Sequence, residues 1–355
     1  MTEIKTRDVF IDHLRAIAIT EVLIVHVLYW GDFLNSKFDI IKSFFLFEIP
    51  LFFFVIGAAS TMKPIISRKK YVEQKMSKML IFYWIYASTA VLFSTIAYFM
   101  QNETPNATDI FYMIISWLIP NGYQISYVAY LPRSTWFILF YLVIVFLIPF
   151  LQIFKEKHPL LTGFLLFIGI LFSNILNLDY MRHIFTYATW TYIGFFHKEI
   201  RTALHKAKWK HLATIFSIGI FIVLLILSNL GISLDMSINQ LPPNLIFFCY
   251  TIAIITIILL QEKHINAIFD WIKKFKIGNM IVTRYEQHSM TIFLYHAYIC
   301  LFTIPLTRIV LTDNIIINIL QCLICFILTF IGSTFISYAF QEIEKIIDNK
   351  KSFSA

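Results

Sequence analysis

Residues 134–154 read STWFILFYLVIVFLIPFLQIF, a run without one charged side chain. A helix of that length rises about 31 Å, which matches the hydrocarbon thickness of a bilayer. Nine other stretches read the same way: 10–30, 41–62, 79–100, 159–176, 181–197, 211–230, 244–261, 288–310 and 315–340. The composition of the whole chain agrees. Hydrophobic residues make up 59% of the 355 positions and charged residues 14%, against about 45–50% and about 25% in soluble domains. A soluble globule of this size cannot cover that much apolar surface with polar groups. The reading excludes a cytosolic enzyme, a nucleic-acid-binding domain and a disordered chain. It predicts an all-α polytopic membrane protein with about ten transmembrane helices.

The net charge of +8 does not point to nucleic acid, because the basic residues cluster between the apolar runs. With the N-terminus inside, 23 Lys and Arg fall in inner segments and five in outer ones: Lys37, Lys42, Arg133, Arg182 and Arg308. That asymmetry predicts both termini in the cytoplasm. The first run carries Arg15 and Glu21 and is followed by no small-residue cleavage site, so it reads as a span and not as a signal peptide. Residues 1–345 are expected to form one membrane domain and 346–355 a cytoplasmic tail, with multi-pass placement in the cell membrane. Two short apolar pieces differ from spans. Residues 109–120 read as a re-entrant or interfacial helix. Residues 264–277 set Ile265, Ile268, Ile272 and Phe275 against Lys273, Lys274 and Lys276, the pattern of an amphipathic surface helix.

Cys249, Cys300, Cys322 and Cys325 all lie in apolar segments. The C-x-x-C of Cys322 and Cys325 has no His or Asp beside it, so packing is the expected role. No metal site and no tightly bound cofactor are expected.

Polar groups inside the spans are the candidates for chemistry. A charged side chain at membrane depth costs about 2.5–3.5 kcal/mol on insertion scales and is a functional hypothesis by default. Arg15, Glu21 and His26 stand in the first span. Arg15 and His26 are eleven residues apart, which brings them within about 20° on a helix and about 16 Å along its axis. Asp12 falls near that stripe, while Glu21 points elsewhere. His26 and His296 lie well inside spans. Each can be an interhelical hydrogen bond or a general base, since neutral imidazole accepts protons near pH 7. In the inner segment 63–78, Lys63, Arg68, Lys69, Lys70, Lys75 and Lys78 form the densest basic patch. It reads either as topogenic charge on anionic lipid or as an anion site for a phosphorylated substrate. Lys75 and Lys78 share a helical face just before the third span.

Together these residues resemble the acyltransferase-3 family of integral membrane acyltransferases. Asp12-His13-Leu14-Arg15-Ala16 followed by His26 matches the family's Arg, ten residues, His. Pro50-Leu-Phe-Phe-Phe-Val-Ile-Gly57 is similar to P-x-F-F-F-x-S-G, with Ile56 in place of the serine. Lys75-Met-Ser-Lys78-Met-Leu-Ile-Phe-Tyr83-Trp84 is similar to R-x-x-R-I-L-P-P-Y-W. Here lysines replace both arginines, and Ile81 and Phe82 replace the prolines. Ser134-Thr-Trp136-Phe-Ile-Leu139 resembles L-W-F-L, and His288-Ser-Met-Thr-Ile-Phe-Leu-Tyr-His296 resembles N-S-L-x-I-Y-L-x-H. Lysine keeps the charge of arginine without the planar fork that grips phosphate.

The resemblance implies transfer of an acyl group, usually acetyl from acetyl-CoA as donor substrate, to a hydroxyl of a cell-envelope carbohydrate or glycolipid. His26 and Arg15 are then the expected catalytic pair. Arg68, Lys75 and Lys78 are expected to hold the acyl-CoA, and Trp136, Tyr141, Glu48 and His296 to meet the acceptor. Membrane lipids and proteins of envelope biosynthesis are the other expected partners. A transporter or flippase of an envelope precursor has the same composition and is the alternative reading.

Overall fold

The computed structural model describes residues 8–34, 38–62, 67–101, 106–128, 130–308 and 314–343. Lys5, Arg7, Lys37, Lys63 and the expected tail 346–355 lie outside them. Seventeen helices follow one another along the described residues. They are α1 (Val9–Gly31), α2 (Asp39–Ser43), α3 (Glu48–Thr61), α4 (Arg68–Gln101), α5 (Ala107–Ser116), α6 (Tyr130–Arg133), α7 (Trp136–Lys157), α8 (Pro159–Ile175) and α9 (Asp179–Gly194). After these come α10 (His197–Leu204), α11 (Ala207–Asn229), α12 (Met236–Gln240), α13 (Leu245–Leu260), α14 (Glu262–Lys273), α15 (Lys276–Gln287), α16 (Ser289–Thr307) and α17 (Ile315–Ala339).

The protein is an all-α polytopic membrane protein. Six stretches are long and apolar enough to cross a bilayer: Asp39–Thr61, α4, Tyr130–Lys157, α11, α16 and α17. The count becomes seven if the pair α13 and α14, bent by 63°, is one span. Each of the ten predicted stretches is mostly helical over its described residues, the second broken by a turn at 44–47, but α8, α9 and α13 are only 17, 16 and 16 residues long. The lipid-facing sides are plain. Ile215, Phe216, Ile222, Leu225 and Ile226 on α11, and Leu320, Leu323, Ile327 and Phe335 on α17, are exposed, which water would not tolerate and hydrocarbon does.

The predicted surface helix 264–277 is divided, ending as α14 at Lys273 and resuming as α15 at Lys276. Its Ile268, Trp271 and Phe275 are exposed, as an interfacial apolar face requires. The predicted 109–120 element is the ten-residue α5, too short to span.

The chain divides into two compact units. The first comprises residues 1–25, 34–66 and 147–287, and the second 26–33, 67–146 and 288–355. In the first, α3 packs along α9, α9 against α8, and α11 against α13. The α3–α9 contact explains the glycine of the P-x-F-F-F segment. A Cβ on Gly57 would stand 2.0 Å from the Thr191 carbonyl oxygen, so only glycine allows the backbones this close. In the second unit, α16 lies against α17, α6 and α4. Cys300 and Cys325 pack there with Val27, Phe33 and Ile304 in a buried apolar cluster, which Cys322 borders. Cys300, Cys322 and Cys325 therefore pack as the sequence suggested.

Candidate functional site

The second unit brings two of the predicted residues into direct contact. His296 Nε2 lies 2.9 Å from His26 Nδ1, and His296 Nδ1 lies 2.5 Å from the Phe293 carbonyl oxygen. A carbonyl oxygen only accepts, so His296 Nδ1 carries the hydrogen. The Nε2 of a neutral His296 is then an acceptor, and His26 Nδ1–H donates to it. It follows that Nε2 of a neutral His26 is the unprotonated nitrogen, the atom of the pair able to take a proton. Burial divides the roles further. His296 is fully buried, whereas His26 is only half-buried.

Aromatic rings hold the pair in place. Trp30 packs on His26 at 4.0 Å between ring centroids and lies nearly parallel to His296 at 5.8 Å. Tyr130 stacks on Trp30 at 5.1 Å and donates its hydroxyl to the Trp30 carbonyl. Trp30 was not singled out from the sequence, although it follows His26 by four residues and so shares its helical face.

The remaining second-unit residues fall on two helices. Trp136 and Tyr141 stand on α7, where Trp136 meets Phe140 and Tyr141 meets Phe137. Five residues separate them, so they point about 140° apart and do not make one stacking face. Phe137 is buried and meets Phe293 edge-on at 4.9 Å, which ties the start of α7 to the turn of α16 whose carbonyl orients His296. Gly122, with φ of +82°, presses against the Trp136 backbone. A Cβ there would come within 2.5 Å of Trp136 Cβ. The S-T-W segment is pinned as well, because Tyr86 bonds Ser134 at 3.0 Å and Thr135 donates to Gln124.

Arg68, Lys75 and Lys78 occupy the first three turns of α4. Its 34 residues rise about 51 Å, well beyond the roughly 30 Å of hydrocarbon. The basic turns therefore stand clear of the apolar layer, with Arg68 and Lys75 exposed and Lys78 half-buried.

The first unit holds the other two predicted residues. Arg15 pairs with Asp12 at 2.9 Å and donates to the Glu286 carbonyl at 3.0 Å. Glu48 is buried at the start of α3 and accepts a hydrogen bond of 3.2 Å from Gln240. Two residues before Arg15, His13 is enclosed by Asn266, Lys273, Glu286 and the ring of Phe269.

An oriented imidazole pair on apolar helices, one ring buried and the other half-buried, is an arrangement that suits proton transfer within the spans. The comparison with protein families narrows the chemistry. The model of the acyltransferase-3 family, described as an acyltransferase domain, matches residues 8–338, and the chain belongs to that family. It is a membrane acyltransferase. No curated protein and no solved structure matches the chain.

Proposed function

We propose that the protein transfers an acyl group, acetyl in the simplest case, from acyl-CoA to a hydroxyl of a cell-envelope carbohydrate or glycolipid. The observation that carries this reading is the directed chain from the Phe293 carbonyl through His296 to His26. It leaves a proton-accepting nitrogen on the more accessible ring. His26 Nε2 takes the acceptor's hydroxyl proton as the oxygen attacks the thioester carbonyl. The carbon–sulfur bond breaks, and the proton returns from His26 to the departing thiolate. No net proton is taken up. The oriented imidazole costs no reorganisation at the moment of transfer.

The donor is a phosphorylated cytosolic molecule, and the basic turn of Arg68, Lys75 and Lys78 is our candidate for its phosphates. Arg15 supports the transfer from the cytoplasmic end of α1. Trp136 and Tyr141 are candidates for acceptor contacts from α7. Both termini face the cytoplasm in this reading. An impermeant thiol reagent added outside should then label cysteines introduced in 106–128 and spare those introduced in 68–78.

Membranes containing the protein, incubated with labelled acetyl-CoA and envelope acceptors, should release free coenzyme A only when acceptor is present. Acceptor movement across the membrane without thioester cleavage would replace transfer with transport.

A further inference from the structure

In the transfer reading the histidine pair carries a positive charge for as long as it holds the acceptor's proton. His26 Nε2 receives that proton, and His26 Nδ1 stands 2.9 Å from His296 Nε2. The hydrogen already on Nδ1 can cross that gap, so the charge rests on either ring and is lost when Nε2 gives its proton to the departing thiolate. An ion at membrane depth is costly unless its surroundings compensate it. Both resting places face one indole. The ring centroid of Trp30 lies 4.0 Å from that of His26 and 5.8 Å from that of His296, the last two planes being 13° apart. At 4.0 Å the His26 ring sits over the indole face, because edge-on aromatic pairs keep their centroids further apart. Both separations fall within the roughly 6 Å over which an aromatic face attracts a cation, and tryptophan is the strongest of the aromatic side chains in this respect.

Trp30 is fixed before any charge arrives. Tyr130 lies 15° from parallel to the indole at 5.1 Å and donates a hydrogen bond of 3.2 Å to the Trp30 carbonyl. Both rings also pack against the buried cluster of Val27, Phe33 and Ile304. A face held in this way needs no reorganisation at the moment of proton transfer. The helix supplies the register, since Trp30 follows His26 by four residues. We propose that Trp30 is a positioning residue for the transfer: its indole face holds the positive charge that His26 and His296 share while the acceptor's proton is in transit. The inference rests on the transfer reading.

A shape-preserving series separates this role from packing. The full-length protein in nanodiscs is prepared with tryptophan and with mono-, di-, tri- and tetrafluorotryptophan at position 30, and acceptor-dependent release of coenzyme A is measured. Fluorines drain the negative ring face and nearly keep the ring's outline. The kcat should fall step by step along the series, by about ten- to thirtyfold at its end, the worth of a partly desolvated cation–π contact. The KM values for acetyl-CoA and for the acceptor, and the thermal midpoint, should stay level. Trp30→Phe, with a weaker face, should fall between the wild type and Trp30→Leu, and it carries the test where the leucine variant does not fold. A flat kcat across the fluorinated series, with wild-type release intact, makes Trp30 a packing residue and overturns the inference alone. A rise in acceptor KM at constant kcat overturns it too, because the indole would then meet substrate and not the charged pair. Absence of acceptor-dependent release in the wild type removes the transfer reading and this role with it.

Discussion

His13 and His26 stand on the same helix, each in its own unit, and both are packed against an aromatic ring. They share a tautomer as well. His13 Nδ1 lies 2.8 Å from the Asn266 side-chain oxygen, so it donates, just as His26 Nδ1 donates to His296. The other nitrogen separates them. His13 Nε2 faces the Lys273 ammonium at 3.3 Å, which is itself bound to Glu286 at 2.7 Å. That lone pair is already used by a donor that cannot accept a proton in return. His26 Nδ1 donates to a neutral imidazole, which makes Nε2 its proton-accepting nitrogen. Charge density around a histidine is therefore a poor guide to chemistry, and the direction of its hydrogen bonds is a better one.

The comparison breaks most sharply at His26. His26→Ala should lower acceptor-dependent release of coenzyme A by about 10²–10⁴-fold, the usual worth of a general base, with expression retained and the thermal midpoint lowered by only a few degrees as the buried His296 Nε2 loses its donor. Retention of more than a few per cent of the rate would mark His26 as a packing residue like His13.

The orienting role of His296 makes the next largest effect. His296→Leu leaves His26 Nδ1–H without its acceptor and should cost about a hundredfold in kcat. His296→Gln supplies a carbonyl oxygen near the lost Nε2 and should recover part of it, with the acceptor KM little changed. A rise in acceptor KM at constant kcat would return His296 to the acceptor-binding role that the family resemblance implies.

The donor site tests whether exposed charge matters where buried charge does not. Lys75→Glu should raise the KM for acetyl-CoA about ten- to a hundredfold, because a charge-assisted contact is worth roughly 1.5–3 kcal/mol. Lys75→Arg should keep or improve it, since the planar fork fits phosphate better. If the patch only meets lipid, protein abundance changes and both KM values stay put.

The fold class was legible because lipid demands long uncharged runs, and 134–154 satisfies that demand in one glance. The crossing count was less so. Helix α9, with Thr186, Tyr187, Thr189, Trp190, Thr191 and Tyr192 buried in its middle, is apolar by neighbourhood more than by content, and a linear scan cannot see neighbours. For the site, the eleven-residue step from Arg15 to His26 was visible as a stripe on one helix. The meeting of His26 with His296 was not, because 270 residues lie between them and only packing decides it. Trp30 could have been found from its four-residue offset to His26.

The smallest effect on catalysis, and the one that most sharpens the contrast, belongs to His13. His13→Leu removes the acceptor of Lys273 and the donor to Asn266 at a fully buried position. Leaving such partners unsatisfied costs about 1–3 kcal/mol of stability, so the thermal midpoint should fall by a few degrees. Transfer per folded molecule should change by less than about threefold, because His13 lies about 140° around α1 from His26 and its proton-accepting nitrogen is already engaged. His13→Gln should restore part of the midpoint, since an amide can both donate and accept at this site. Size-exclusion midpoints read beside kcat separate the two quantities. A His13→Leu protein with an intact midpoint and abolished transfer would exchange the roles of the two histidines, and hydrogen-bond direction would then lose its value as the guide to the base.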